Sequence, residues 1–271
     1  MSSRKYPSLT PVSKHSSQIA HRTTSQTPPP LPKFSQLKCL TFHSNHENPD
    51  SISGISQFLT TRGDALCTLI INNRTANYLD SPLFISNLRN LYLSLTITSV
   101  YGLNQLLEGG RKLESLQLEV LSNVRAISEA FRPHSRPGSF PVLREFAFIF
   151  IGAENADNDN GDDEEYEDPD LFPAVAEVVR GLPILEALCL SFRQSSHNPK
   201  AFGYTAAIWG VLPSLVRLRT LSMDFPEDLS SALGGWLVPR TVVALEVRVP
   251  EGASSEIHCS VSMSPYLWHP G

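Results

Sequence analysis

From Leu37 onward the chain repeats one short arrangement, with large apolar residues at positions 1, 4 and 6 of a six-residue window and mostly polar or small residues between them. It occurs as Leu37, Leu40, Phe42, then Leu66, Leu69, Ile71, then Leu88, Leu91, Leu93, then Leu113, Leu116, Leu118. It continues as Leu143, Phe146, Phe148, then Leu185, Leu188, Leu190, then Leu218, Leu221, Met223, and closes with a weaker copy at Val242, Leu245, Val247. First positions are separated by 29, 22, 25, 30, 42, 33 and 24 residues; the 42-residue interval holds a 17-residue acidic stretch, without which it is 25. A period of this length is the mark of a repeat architecture. Positions 4 and 6 alternate as in a strand with both side chains on one face, and position 1 packs beneath them from the preceding bend. So short a strand is not stable alone and needs a neighbour on each side.

Between the strands lie segments of helical period. Ile52, Ile55, Phe58 and Leu59 share one helical face, as do Leu103, Leu106 and Leu107, and Val124, Ile127 and Phe131. Further on come Leu171, Val175, Val178 and Leu182, then Tyr204, Ile208, Val211 and Leu212, then Leu229, Leu233 and Trp236; Ser81-Pro82 reads as the start of a short helix. Strand, bend and helix in repetition predict an α/β fold: a curved solenoid with short parallel strands on the concave face and helices on the convex face. It spans residues 37–250 in about eight irregular repeats. Residues 251–271 follow, where Ile257, Cys259, Val261 and Met263 alternate like an edge strand without the leading leucine, or fray as a tail.

The motifs LKCLTF, LCTLII, LRNLYL, LESLQL, LREFAF, LEALCL and LRTLSM resemble the leading half of leucine-rich repeats. Their uneven length and helical backs resemble the ribonuclease-inhibitor-like class found in F-box/LRR proteins, especially the divergent ones of fungi. Pro141 and Pro183, each two residues before a repeat's first leucine, suit that style of bend. The asparagine or cysteine usual at position 9 is largely missing: Asn45 fits, but Arg74, Thr96 and Leu121 stand in the next three repeats. No F-box is recognisable before the repeats, since Leu31-Pro32 leads straight into the first strand. The resemblance implies a protein-binding role, recruiting substrates to a ubiquitin ligase, with the ligase adaptor as a partner only through an F-box-like contact. A degenerate or truncated repeat protein without activity of its own is the alternative.

Charge divides the chain. The 271 residues carry a net charge of −5, but ten carboxylates lie between Glu154 and Asp170, and the remaining 17 face 22 cations, a balance of +5. That stretch reads as a solvated, disordered insertion, 154–170, with docking of a basic partner through its charge density as the alternative. As a calcium loop it would place Ala156 at the first ligand position, and a strand-like FAFIFI precedes it. The first 36 residues hold five cations, no acid and few large apolar groups, and read as a disordered basic Ser/Thr/Pro-rich tail. Their composition also fits a transit peptide, although the apolar residues make only a thin stripe. Pro28-Pro29-Pro30-Leu31-Pro32 favours a polyproline II lead-in or a ligand of SH3- or WW-type readers.

Four scattered cysteines (Cys39, Cys67, Cys189, Cys259) lack zinc spacing and are too few for a disulfide scaffold. No run is long and apolar enough to span a bilayer. An intracellular protein, cytoplasmic or nuclear, monomeric, is expected, with no membrane and no nucleic-acid partner. No nucleophile, phosphate or metal motif stands out, so no enzyme activity, cofactor or metal is expected. Gly109-Gly110-Arg111-Lys112 reads as a glycine-capped helix end, and His43, His46 and Glu47 as a solvated loop. A partner would meet the outward strand positions of the concave face. The candidates are Asn72, Asn90, Tyr92, Gln117, Glu119, Glu145, Thr220 and Asp224, with Tyr92 as an aromatic anchor. His43, Ile70, Glu246 and Arg248 share these positions. The row has no basic stripe or aromatic ladder for single-stranded nucleic acid.

Overall fold

Each LxxLxL window forms a bend followed by a strand, and the strands add to one sheet in sequence order. In the computed structural model, which describes residues 37–43, 66–73, 87–97, 100–122, 126–152, 167–193 and 198–249, eight strands are placed. They are β1 (Cys39–His43), β2 (Thr68–Asn73), β3 (Asn90–Ile97), β4 (Ser115–Ser122), β5 (Glu145–Gly152), β6 (Ala187–Phe192), β7 (Thr220–Asp224) and β8 (Ala244–Arg248). All neighbours are parallel and the order is β1-β2-β3-β4-β5-β6-β7-β8. Five α-helices are described: α1 (Val100–Gly109), α2 (Ser128–Phe131), α3 (Leu171–Arg180), α4 (Ala206–Trp209) and α5 (Ser231–Leu237). All of these described residues fall within one compact unit.

Register follows the motif residue by residue. Leu91 pairs with Leu116, Leu116 with Phe146, Phe146 with Leu188, Leu188 with Leu221 and Leu221 with Leu245. The bends are joined as well. The carbonyl of Lys38 accepts the N–H groups of Cys67 and Thr68 at 2.8 and 3.0 Å, and the carbonyls of Cys67, Arg89, Glu114, Arg144, Glu186 and Arg219 each accept two in the same way. Each of the seven junctions between neighbouring repeats is therefore made by the same doubly accepting carbonyl. A one-residue slip would turn the leucines to the opposite face.

Positions 4 and 6 of β2 to β7, together with the first-position leucines from Leu66 to Leu218, are at most 2% exposed. They share one core with Leu103, Leu106 and Leu107 of α1 and Leu171, Phe172, Val175, Val178 and Val179 of α3. A run of rings links sheet and helices: Phe131 to Phe148 at 5.3 Å, Phe148 to Phe172 at 5.5 Å and Phe172 to Tyr204 at 4.6 Å, all edge-on. Leu37, Leu40 and Phe42 at one end, and Val242, Leu245 and Val247 at the other, are only half-buried. Val120, Phe150 and Phe192, two residues further along β4, β5 and β6, join the same core, and the alternate strand residues face away from the helices.

Several expectations need correction. Leu233 and Trp236 are exposed, at 49% and 87%, because α5 turns Gly234 inward, where an added Cβ would stand 3.1 Å from the Phe225 ring. Two other helices are single turns. α2 passes at Pro133 into a 3-10 turn (Arg132–His134), and α4 is followed by another at Leu212–Ser214. Gly110 has no left-handed conformation; a Cβ there would meet the Leu113 and Phe140 side chains at 2.9 Å, so close packing is what it provides. The last residues of the 154–170 stretch are part of the packed structure. Buried Asp168 accepts the N–H and hydroxyl of Ser128, both at 2.9 Å, and Asp170 pairs with Arg132. The rest of that stretch, the tail 1–36, the helices expected at 52–59 and at Ser81-Pro82, Val124 and residues 251–271 lie outside the described residues.

Candidate functional site

The outward residues of the strands line up across the sheet in rows. One row runs Thr68, Asn90, Ser115, Glu145, Ala187, Thr220, Ala244, and the next Ile70, Tyr92, Gln117, Ala147, Cys189, Ser222, Glu246. A third begins Asn72, Ser94, Glu119, Ile149, Ser191, and Asp224 stands beside Arg248. All eight candidates thus lie on the face turned from the helices, but not as one continuous surface. Asn72, Asn90, Tyr92, Gln117 and Glu119 form a patch on β2 to β4, with Glu145 at its border. Thr220 and Asp224 lie on β7. Between the two groups, Ala147, Ile149 and Cys189 make a small apolar cluster, buried against one another, with Ile151 packed on it.

In the first patch, the Tyr92 hydroxyl donates to the Glu119 carboxylate at 2.9 Å, and the Asn90 amide donates to the Thr68 hydroxyl at 3.1 Å. Tyr92 is half-buried, so it does not protrude as a free side chain. Gln117 stands next to it in the row and Glu145 is exposed.

The second group is a tighter network whose serines were not among the sequence candidates. Asp224 accepts the N–H of Phe192 at 2.6 Å and the hydroxyl of Ser191 at 3.0 Å, and its own carbonyl accepts the Tyr204 hydroxyl at 2.7 Å. Arg248 donates to Glu246 at 3.1 Å and to Ser191 at 3.2 Å, while the Ser222 hydroxyl donates to Glu246 at 2.9 Å. Burial pushes the Asp224 carboxyl up, only partly offset by the Phe192 and Ser191 bonds and by Arg248. Burial also opposes ionisation of Glu246, but the bonds from Arg248 and Ser222 and the Arg248 charge outweigh it and hold that carboxyl down. Burial raises the Cys189 thiol, keeping it protonated at neutral pH. Asp224 is therefore a tie between β6, β7 and the 199–204 loop, with its carboxylate already engaged. The alternation that exposed Asp224 and Glu246 in the sequence also marks Ser191 and Ser222, but a serine carries no charge to draw notice.

No family model and no curated protein matches this chain. The site therefore stands on its own geometry. Among the described residues, no group of three or more His, Cys, Asp or Glu is placed to hold a metal ion, and no helix is long and apolar enough to cross a membrane. The side chain of His43 and residues His46 and Glu47 lie outside the described residues. On the helix side, a half-open groove of about 380 Å³ lies between α3 and α4 and the 3-10 turn after α2. Its charged lining is consumed in pairs, Arg132 with Asp170 and Arg180 with Glu177.

Proposed function

We propose that this chain is a non-enzymatic protein-binding module of leucine-rich-repeat type whose open sheet face receives a protein partner. The carrying observation is the seven-fold recurrence of one bend, each with a doubly accepting carbonyl, in a sheet whose strands add strictly in sequence order. That supports reading the LxxLxL windows as repeats of the ribonuclease-inhibitor-like class. It also supports a curved solenoid, because strands spaced about 4.8 Å apart on one side must accommodate thicker helices on the other. The patch on β2 to β4 offers a partner an aromatic face (Tyr92), amide groups (Asn72, Asn90, Gln117) and carboxylates (Glu119, Glu145). In the setting of F-box/LRR proteins, which the repeat style resembles, the role is substrate recruitment to a ubiquitin ligase in the cytoplasm or nucleus.

Affinity capture of the full chain from native extract with quantitative mass spectrometry tests this, run beside a Tyr92→Ala/Glu145→Arg double variant. A partner held by the wild type and lost by the folded double variant supports the open face, and a cullin-type ligase adaptor among the captured proteins supports the recruitment role. Capture of chaperones alone, or of the same partners by both proteins, overturns the reading.

A further inference from the structure

We propose that the amino-terminal edge of the sheet, at the bends entering β7 and β8, is a second interaction surface that takes an acidic protein segment carrying aliphatic residues. The residues that carry it are Arg217, Arg219 and Arg240, with Val216 and Val243. All three guanidinium groups are exposed and make no ion pair among the described residues. The two valines are 70% and 82% exposed, beyond what either would show in a packed bend. Backbone bonding fixes the cluster: the Val243 N–H donates to the Arg219 carbonyl at 2.9 Å, and register puts Arg240 at the bend position that Val216 holds one repeat earlier.

Among the described residues, the carboxylate of the preceding bend does not neutralise it. Glu186, one repeat earlier, is held at 2.7 Å by Arg144 on its far side. The patch therefore combines three positive charges unpaired among the described residues with exposed aliphatic surface, on the edge opposite the strand ends that carry Asp224 and the origin of the acidic stretch after Gly152. That stretch is too short to be the occupant. Its 14 residues from 153 to 166 reach at most about 50 Å when extended, and they must return to Glu167. Travelling down and back along β5 alone uses about that length, with β7 still two strands away.

Guanidinium groups pair bidentately with carboxylates and with phosphates alike. The valines decide between the two. A phosphodiester chain has no use for them, and Glu114 and Glu186 interrupt the row of cations. A segment alternating Asp or Glu with Leu or Val satisfies both kinds of residue. This surface is separate from the open face and does not depend on the function proposed above.

The test is fluorescence anisotropy on the full chain with three labelled probes of about the same length: a peptide alternating Glu and Leu, a polyglutamate peptide and an oligouridylate. The alternating peptide is expected to bind best, to weaken as salt rises, and to lose roughly tenfold or more in affinity for Arg217→Glu/Arg219→Glu/Arg240→Glu. Val216→Ser/Val243→Ser is expected to narrow its advantage over polyglutamate. Circular dichroism checks that each variant is folded, and the Arg→Gln triple replaces the reversal should that fail to fold. The proposal is overturned by no binding at low salt, by binding indifferent to the arginine substitutions, or by oligouridylate binding as tightly as the alternating peptide.

Discussion

Gly203 has φ +72°, and a Cβ there would fall 2.1 Å from the Pro169 carbonyl oxygen and 2.6 Å from the Pro173 ring. Both the left-handed backbone and the space demand glycine, so Gly203→Ala is expected to destabilise by about 3 kcal/mol in urea denaturation. Asp168 makes a different local demand: a buried carboxylate serving the Ser128 N–H and hydroxyl across 40 residues of sequence. Asp168→Ala leaves both donors buried without a partner and should cost about 2 kcal/mol by the same measurement. Asp224 contributes with the opposite sign at neutral pH. Burial raises its carboxyl in the folded state, so the native protein binds this proton more tightly than the unfolded chain. Its contribution favours folding at low pH and is lost as pH rises from the unfolded value of about 3.9 through the raised folded one. The stability difference between wild type and Asp224→Asn, followed against pH, should therefore move in the variant's favour as pH climbs through that window. A flat difference would contradict the assignment.

At the scale of the element, the sheet predicts a gradient. Leu116 is 1% exposed between Leu91 and Phe146, and Leu116→Asp, which buries a charge there, should abolish the cooperative melt seen by circular dichroism. Unchanged melting would refute the register. Leu245 holds the same motif position in β8 but is only half-buried, so Leu245→Ala should cost about 1 kcal/mol, where Leu116→Ala costs about 3. The strands and their inward residues were legible because apolar alternation and the leading leucine are local signals. The helices were less so. A four-residue turn such as α2 or α4 has too few residues to show a period, and the inward face of α5 is set by Gly234, which an apolar pattern cannot register. The open face was legible position by position. Its division into two patches was not, because Ala147, Ile149 and Cys189 come together only once β5 and β6 pair. Asp168 and Asp170 were hidden for a related reason. Amid ten carboxylates, nothing local distinguishes the two that find partners 38 and 40 residues back.

For the whole molecule, the recurrence of one motif announced a parallel sheet assembled in chain order, while the charge total concealed how the cations are arranged. Lys38, Arg89, Arg111, Lys112, Arg144, Arg217, Arg219 and Arg240 fall individually at unremarkable loop positions, and all are exposed at the bends on one edge of the sheet. The sequential strand order also bears on how the chain reaches its fold. Each strand finds its partner 22 to 42 residues earlier, never later, apart from the strand that follows it in turn. Sheet partners are thus separated by only about a tenth of the chain of 271 residues. During synthesis, every strand from β2 onward leaves the ribosome after its earlier neighbour is already outside, so assembly can proceed in the direction of translation without waiting for the carboxyl terminus. Arrest-peptide force profiles of nascent chains should accordingly show a series of small pulls, one as each repeat emerges, and not a single late event.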